Sequence, residues 1–118
     1  MKYLEAELYE SKECEYTSPV LVNLDKLISR LKSDTPEYHI DIDTKNVYSI
    51  NRVNDCINHI KKNINKKGSL ELPSLGFQSN KIGVIDGRHR IIANKKIGYT
   101  HIYVDIPNSY KDILLNLN

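Results

Sequence analysis

The sequence predicts an α/β fold of the α+β kind, in which helices flank a small mixed sheet. Two segments, residues 24–31 and 50–64, repeat apolar residues at the three-to-four spacing of an amphipathic helix. Residues 100–106 alternate between apolar and polar side chains, as a half-buried strand does. Residues 84–97 indicate a strand that turns at a glycine into a helix. With 118 residues and 40% hydrophobic content, the chain is predicted to form one domain over residues 1–118.

The first third of the chain predicts a hairpin, a strand and a helix. Residues 3–9 alternate loosely and, together with residues 13–16, predict an N-terminal hairpin or strand pair that the Ser-Pro pair at 18–19 would end. Residues 20–22 predict a short strand that enters a helix near Asn23. The apolar face of this helix contains Leu24, Leu27, Ile28 and Leu31.

The middle of the chain predicts a strand and the longest helix. Residues 38–43 alternate as a half-buried strand, and the polar face with His39, Asp41 and Asp43 is typical of solvated sheet residues, so we predict no metal site there. Ser49 or Asn51 would cap the next helix, and Gly68 would end it. Its apolar positions are Ile50, Val53, Ile57, Ile60 and Ile64.

The next segment predicts two strands joined by a tight turn. Residues 70–77 form a strand region that Pro73 interrupts, which favours an edge position in the sheet because proline cannot donate a ladder hydrogen bond. Residues 79–80 form the turn, and residues 81–85 return as a strand.

The last elements alternate helix, strand and helix. Residues 88–97 predict a helix that stops at Gly98. Residues 100–106 form the strand described above, and residues 110–117 a short terminal helix.

The start of the predicted helix at residue 88 carries an unusual charge pattern. A helix N-terminus has unpaired N–H groups and a partial positive charge, so it disfavours cations and attracts anions. Here Arg88, His89 and Arg90 occupy that first turn, and Gly87 would allow close backbone approach. These residues therefore predict a bound anion, with phosphate as the best candidate.

A second interpretation needs no ligand. Arg88 and Arg90 would then be solvated or paired with acids such as Asp86 or Asp105, and His89 would pack at the strand end. Asp86 would either polarise a water or hydroxyl as a base, or hold an arginine in place.

The segment VIDGRHRIIANKKIGYTHIYVDIP, residues 84–107, resembles the C-terminal half of the ParB/sulfiredoxin-like domain. The resemblance extends back through residues 70–75 and Asn51-Arg52 to about residue 48. It leaves residues 1–47 as a part unmatched by the family and residues 108–118 as a C-terminal helix. The resemblance implies a ParB/sulfiredoxin-like fold.

The resemblance also implies roles for single residues. Gly87, Arg88, His89 and Arg90 take the positions that bind nucleotide phosphates or line a catalytic pocket in the family, and Arg52 takes that of an upstream arginine. Asp86 and His89 become the candidate catalytic residues, and Mg²⁺ the cofactor that would accompany a nucleotide.

Two departures from the family narrow the expected function. Arg88 stands where sulfiredoxins have their nucleophilic cysteine, and we expect Cys14 and Cys56 to be structural, so sulfiredoxin activity is not expected. Partition proteins continue into a helix-turn-helix, for which the ten or so residues after Pro107 leave no room, so operator binding on that pattern is not expected.

The sequence thus predicts a phosphate- or nucleotide-binding domain whose partner is a nucleotide or another phosphorylated small molecule, and whose enzymatic form would be a nucleotide hydrolase or phosphotransferase. The alternative is a non-catalytic phage- or plasmid-type accessory protein that binds nucleic acid or a host protein. A net charge of +2 does not favour either the small-molecule ligand or a nucleic-acid partner. No apolar run approaches the ~20 residues of a membrane helix, which predicts no membrane partner. The two cysteines form no disulfide framework, and no secretory signal opens the chain, which favours the cytoplasm.

Overall fold

A computed structural model of the chain describes residues 1–11, 14–36 and 41–115 and contains a four-stranded mixed sheet with helices packed against it. The predicted mixed α/β class is confirmed. The strands are β1 (Thr17–Asn23), β2 (Ser74–Gln78), β3 (Lys81–Asp86) and β4 (His101–Pro107). The helices are α1 (Leu24–Asp34), α2 (Val47–Asn63), α3 (Arg88–Ile97) and α4 (Lys111–Leu115), with 3-10 turns at Ala6–Leu8 and Asn108–Tyr110.

The sheet has the order β1-β4-β2-β3. β1 pairs with β4 and β2 with β3 in antiparallel fashion, whereas β2 and β4 run parallel. On β4, Ile102, Val104 and Ile106 are buried, as their alternation predicts. The apolar face of α1 is buried as predicted, and it includes Leu24 and Leu27. Burying each such side chain contributes about 1.5–3 kcal/mol to folding.

The helix starts depend on asparagine caps. Asn23 caps α1 by accepting a hydrogen bond from the Lys26 N–H, as expected for a start near this residue. For α2, the prediction of Ser49 or Asn51 as the cap is wrong, because Asn46 accepts the Ser49 N–H at 3.0 Å and the helix begins at Val47.

The predicted end of α2 also needs correction. The helix stops at Asn63, and Gly68 lies in the following turn with a φ of +69°. The Gly68 N–H donates to the Glu7 carbonyl. Gly68 therefore bonds to the N-terminal segment rather than to the carbonyls at the end of α2. Of the predicted apolar face, Val53 and Ile60 are buried and Ile57 is half-buried, whereas Ile50 and Ile64 are exposed, so the prediction is wrong for these two positions.

The predicted N-terminal hairpin or strand pair is wrong over the described residues. Residues 3–9 contain the 3-10 turn Ala6–Leu8, and Tyr9 forms an isolated bridge with Leu70. Leu4 and Leu8, four residues apart, both enter the core. Residues 12–13 lie outside the described part of the chain.

Both predictions about prolines in the sheet are wrong, for related reasons. Pro19 does not end a segment but lies within β1, opposite Asp105. The Asp105 N–H donates to the Pro73 carbonyl on the other side, so the ladder requires no donor from Pro19. Pro73 precedes β2 rather than interrupting it, and β2 is an inner strand that pairs with both β3 and β4. Pro73 contributes only its carbonyl at this junction, so its missing N–H leaves the ladder intact.

The remaining predictions are mostly confirmed. Ser79 and Asn80 form the β2–β3 turn with φ values of +51° and +64°. β3 extends one residue further than predicted, to Asp86, and α3 has the predicted bounds. β4 has the predicted length but begins and ends one residue later than predicted. The predicted strand 38–43 is not formed where it is described, since residues 41–43 make a turn, while residues 38–40 lie outside the described part. The C-terminal helix α4 is described only to residue 115.

The outer edge of β3 is partly covered by the end of α1. The Ile82 N–H donates to Asp34 Oδ2 at 3.0 Å, and the Ile82 carbonyl accepts from the Thr35 hydroxyl at 3.1 Å. These contacts satisfy outward-facing backbone groups that would otherwise invite another strand. They also anchor the strand that leads into α3.

Candidate functional site

All six residues predicted for the site line one cleft of about 360 Å³, which we call the phosphate cleft. Its walls come from α2, the end of β3 and the start of α3. The predicted residues in its lining are Arg52, Asp86, Gly87, Arg88, His89 and Arg90. Arg52 comes from a different helix than the others, so tertiary packing, not chain proximity, brings it to this cleft.

Gly87 makes the turn between β3 and α3 possible. Its φ of +100° lies in the left-handed region, and a Cβ at this position would be 2.9 Å from Pro73 Cα and 3.1 Å from Arg90 Nη1. Such a contact is too short for any side chain. Among the described residues, no side chain caps the first turn of α3. The open backbone of this turn therefore forms part of the cleft wall.

Arg90 connects the cleft to the loop before β2. Its Nη2 lies 2.9 Å from Asp86 Oδ2 and 3.4 Å from Glu71 Oε2. Its Nη1 donates to the Leu72 carbonyl at 3.0 Å. The positive charge of Arg90 is thus already matched by two carboxylates. This geometry favours the second interpretation of Asp86, in which it holds an arginine; the assignment of Asp86 and His89 as catalytic residues stays a prediction.

His89 lies in a strongly cationic environment. Burial, and then the charges of Arg88 and Arg52, lower the pKa of His89 below its ordinary value. Its Nε2 atom is buried and has no hydrogen-bond partner among the described residues. The Tyr48 ring contacts it edge to face, with 6.1 Å between ring centroids. An anion in the cleft would offset the two guanidinium charges.

Three residues of the site were missed by sequence reasoning. Glu71 pairs with Arg90, Tyr48 contacts His89, and Cys56 lines the cleft beside Arg52. The spacing of Tyr48, Arg52 and Cys56, each four residues from the last, places them on one face of α2 and was the available signal. Nothing in the sequence links Glu71 to Arg90.

The cleft does not by itself build a site for Mg²⁺. Within the part of the chain that the structure describes, no three histidine, cysteine, aspartate or glutamate side chains are grouped as metal ligands. The one carboxylate in the cleft lining, Asp86, is paired with Arg90. Mg²⁺ prefers several oxygen ligands in octahedral geometry. It would therefore have to be held mainly by the phosphates of a bound nucleotide.

Comparisons with known proteins add no assignment. The chain has no significant match among protein-family models, curated proteins or solved structures. Among the described residues, no helix is long and apolar enough to cross a membrane.

The pKa of His89 leads to a test of the cleft by pH. In the unfolded chain histidine titrates near about 6.5. Because folding lowers the pKa of His89, the unfolded chain takes up the imidazole proton at a higher pH than the folded protein does. We therefore expect stability from His89 to be present above about pH 6.5 and lost as the pH falls below it.

The measurement is an NMR titration of the His89 imidazole with and without pyrophosphate. We expect a pKa below 6.5 in the free protein and a higher one when the anion is bound, since the anion favours the charged ring. A ring that titrates at the ordinary value in both samples would contradict this description of the cleft.

Proposed function

We propose that this protein binds a phosphate-bearing small molecule, with a nucleotide as the favoured ligand, in the phosphate cleft. The observation that carries the proposal is the convergence of Arg52, Arg88 and the uncapped start of α3 around His89. Two arginines provide planar forks of donors that match phosphate oxygens. The helix start adds backbone N–H groups and a favourable dipole.

The cationic residues of the cleft have two different roles in this proposal. Arg52 and Arg88 contact the phosphate in this proposal, and His89 gains a proton more readily once the phosphate is bound. Arg90 instead stabilises the loop through Glu71 and Asp86. Its effect on binding is therefore indirect, which revises the expectation that Arg90 contacts the ligand.

The resemblance of residues 48–107 to the ParB/sulfiredoxin-like domain supports a nucleotide over other phosphate esters. It also supports the enzymatic form of the proposal, a nucleotide hydrolase or phosphotransferase acting with nucleotide-bound Mg²⁺. In that form Asp86 and His89 are the candidate catalytic residues. A cytoplasmic location belongs to the same proposal, supported by cysteines that are both free thiols.

One observation favours the alternative, an accessory protein that binds nucleic acid or a host protein. Tyr48 and Val47 at the start of α2 are 65% and 70% exposed, and Ile85 at the cleft is 73% exposed. Exposed apolar side chains beside arginines are suited to a macromolecular partner. Affinity for a single-stranded oligonucleotide that falls steeply with salt, with none for free nucleotides, would favour this alternative.

The two cysteines provide a direct test of the proposal. Cys56 lines the phosphate cleft, and burial raises the pKa of its thiol. Cys14, which was expected to be structural, is instead exposed, and a hydrogen bond with the Thr17 side chain lowers the pKa of its thiol. We expect an alkylating reagent to modify Cys14 first and Cys56 slowly.

Pyrophosphate and a panel of nucleotides, with and without Mg²⁺, should slow the modification of Cys56 and leave that of Cys14 unchanged. Cys14 is the internal control, since general inhibition of the reagent would slow both. Mass spectrometry of the two peptides measures the rates. Unchanged modification of Cys56 at millimolar pyrophosphate and nucleotide would contradict the proposal.

A further inference from the structure

A second cleft adjoins the phosphate cleft and shares three lining residues with it, namely Arg52, Cys56 and Arg90. We call it the Asn94 cleft. It has a volume of about 290 Å³ and lies between α2, α3 and the N-terminal segment. A single ligand that extends beside Arg90 could therefore occupy both clefts.

Asn94 is the most unusual residue of this second cleft. It is 3% exposed and is the one buried polar residue in the described core. Its Nδ2 donates to the Arg90 carbonyl at 2.8 Å, which fixes the orientation of the amide. Its Oδ1 is buried and has no hydrogen-bond partner among the described residues. Buried acceptors without partners destabilise a fold and are uncommon in native proteins.

The surroundings of Asn94 define what the cleft would accept. Leu4, Ile60 and Leu70 provide apolar walls, which suit a flat ring. The carboxylates of Asp55 and Glu71 also line the cleft. Arg52, His59 and Arg90 supply donors in the same lining, so it is the unpartnered acceptor Asn94 Oδ1 that calls for a ligand group that donates an N–H bond.

Tyr9 adds a neutral hydroxyl to this wall. Burial, and to a smaller extent the neighbouring Tyr99, raises the pKa of Tyr9 well above its ordinary value. The phenol therefore stays protonated throughout the physiological range. It adds no negative charge that would repel a phosphate ester.

We propose that the Asn94 cleft receives the amino-substituted ring of the ligand, whose exocyclic N–H group donates to Asn94 Oδ1. This inference rests on the proposed function and specifies the ligand as a nucleotide with an amino-bearing base. Arg88 and Asn94 are six residues apart on α3, and a helix rises ~1.5 Å per residue, so the two positions are separated by roughly 9 Å along the axis. That span is comparable to the distance from the phosphate to the base edge of a nucleoside monophosphate.

The test compares nucleotides that differ at the exocyclic group. AMP and IMP form one pair, CMP and UMP the other, and calorimetry on the full chain measures each dissociation constant. We expect the amino member of at least one pair to bind about tenfold to a hundredfold more tightly than its oxo counterpart, because the oxo group brings a second acceptor to Asn94 Oδ1. Pyrophosphate serves as the probe of the phosphate cleft alone.

Asn94→Leu separates a ligand role from a structural one. The substitution removes the unpaired acceptor at similar volume, so we expect the free protein to be at least as stable as the wild type. The variant should lose the amino preference and keep its affinity for pyrophosphate. A marked loss of thermal stability in Asn94→Leu would assign Asn94 to the fold and overturn the inference.

The wild-type comparison is independent of any variant. Equal affinity within both pairs, or preference for the oxo members, overturns the inference while pyrophosphate binding leaves the proposed function standing. If neither pyrophosphate nor any nucleotide binds, the proposed function fails, and the inference fails with it.

Discussion

Replacing Gly87 by alanine should lower the free energy of unfolding by about 2–4 kcal/mol. Two costs combine. The φ of +100° is unfavourable for an L-residue, and the new Cβ would lie 2.9 Å from the Pro73 backbone, which cannot move as a flexible side chain can. Because Pro73 also accepts the Asp105 N–H, moving it would disturb the junction between β2 and β4.

Gly98→Ala is a matched control for the first cost. Gly98 ends α3 with a φ of +106°, close to that of Gly87, but a Cβ added there would meet no atom within 4 Å from elsewhere in the described chain. We expect a loss of about 1–2 kcal/mol there, from backbone strain alone. Urea denaturation of both variants measures the difference. Equal losses would show that the approach of Gly87 to Pro73 contributes nothing to stability.

Arg52→Ala and Arg88→Ala should each weaken the binding of pyrophosphate or a nucleotide about tenfold to a hundredfold. A charge-assisted hydrogen bond to a phosphate is worth about 1.5–3 kcal/mol. Isothermal titration calorimetry on folded variants measures the loss. Arg88→Lys should recover part of the affinity, because lysine keeps the charge but lacks the planar fork.

Lys96→Ala is the control for charge alone, since this exposed residue lies in the last turn of α3, away from the cleft lining. It removes the same unit of charge and should change affinity less than about threefold, because charges separated by solvent are screened. Arg90→Ala should behave differently from all of these, with lower stability through the loss of contacts with Asp86, Glu71 and Leu72. Affinities in Arg52→Ala and Arg88→Ala that match the Lys96→Ala value would rule out direct phosphate contacts.

Local signals in the sequence were sufficient for the elements from the β2–β3 turn to β4. The Ser79-Asn80 turn, the helix from Arg88 to Ile97 and the Gly98 stop were all predicted at or near their observed bounds. Each depends on backbone preferences of a few consecutive residues, such as left-handed φ at glycine and asparagine. Such preferences are local and do not depend on how the rest of the chain folds.

The prolines and the N-terminal segment show where local reasoning fails. Pro73 has no N–H to donate, which favoured an edge strand, but it lies just before β2, and its neighbour Asp105 uses only the Pro73 carbonyl. In the structure, residues 3–9 contain the 3-10 turn Ala6–Leu8 instead of a hairpin, and Leu4 and Leu8 are buried against residues distant in the sequence, which the local alternation does not encode.

By itself, the sequence determined the residue types of the candidate site, since the acid, the glycine and the three cation-capable side chains at residues 86–90 are contiguous and their helix start is locally encoded. Only the tertiary structure decided their partners. It brought Arg52 to the cleft from α2, matched Arg90 with Glu71, and buried Asn94 without a partner for Oδ1 among the described residues. Charge pairing and burial act between side chains that are close in space. The separation of two residues along the chain does not show whether they will be close in space, so the sequence alone could not predict these contacts.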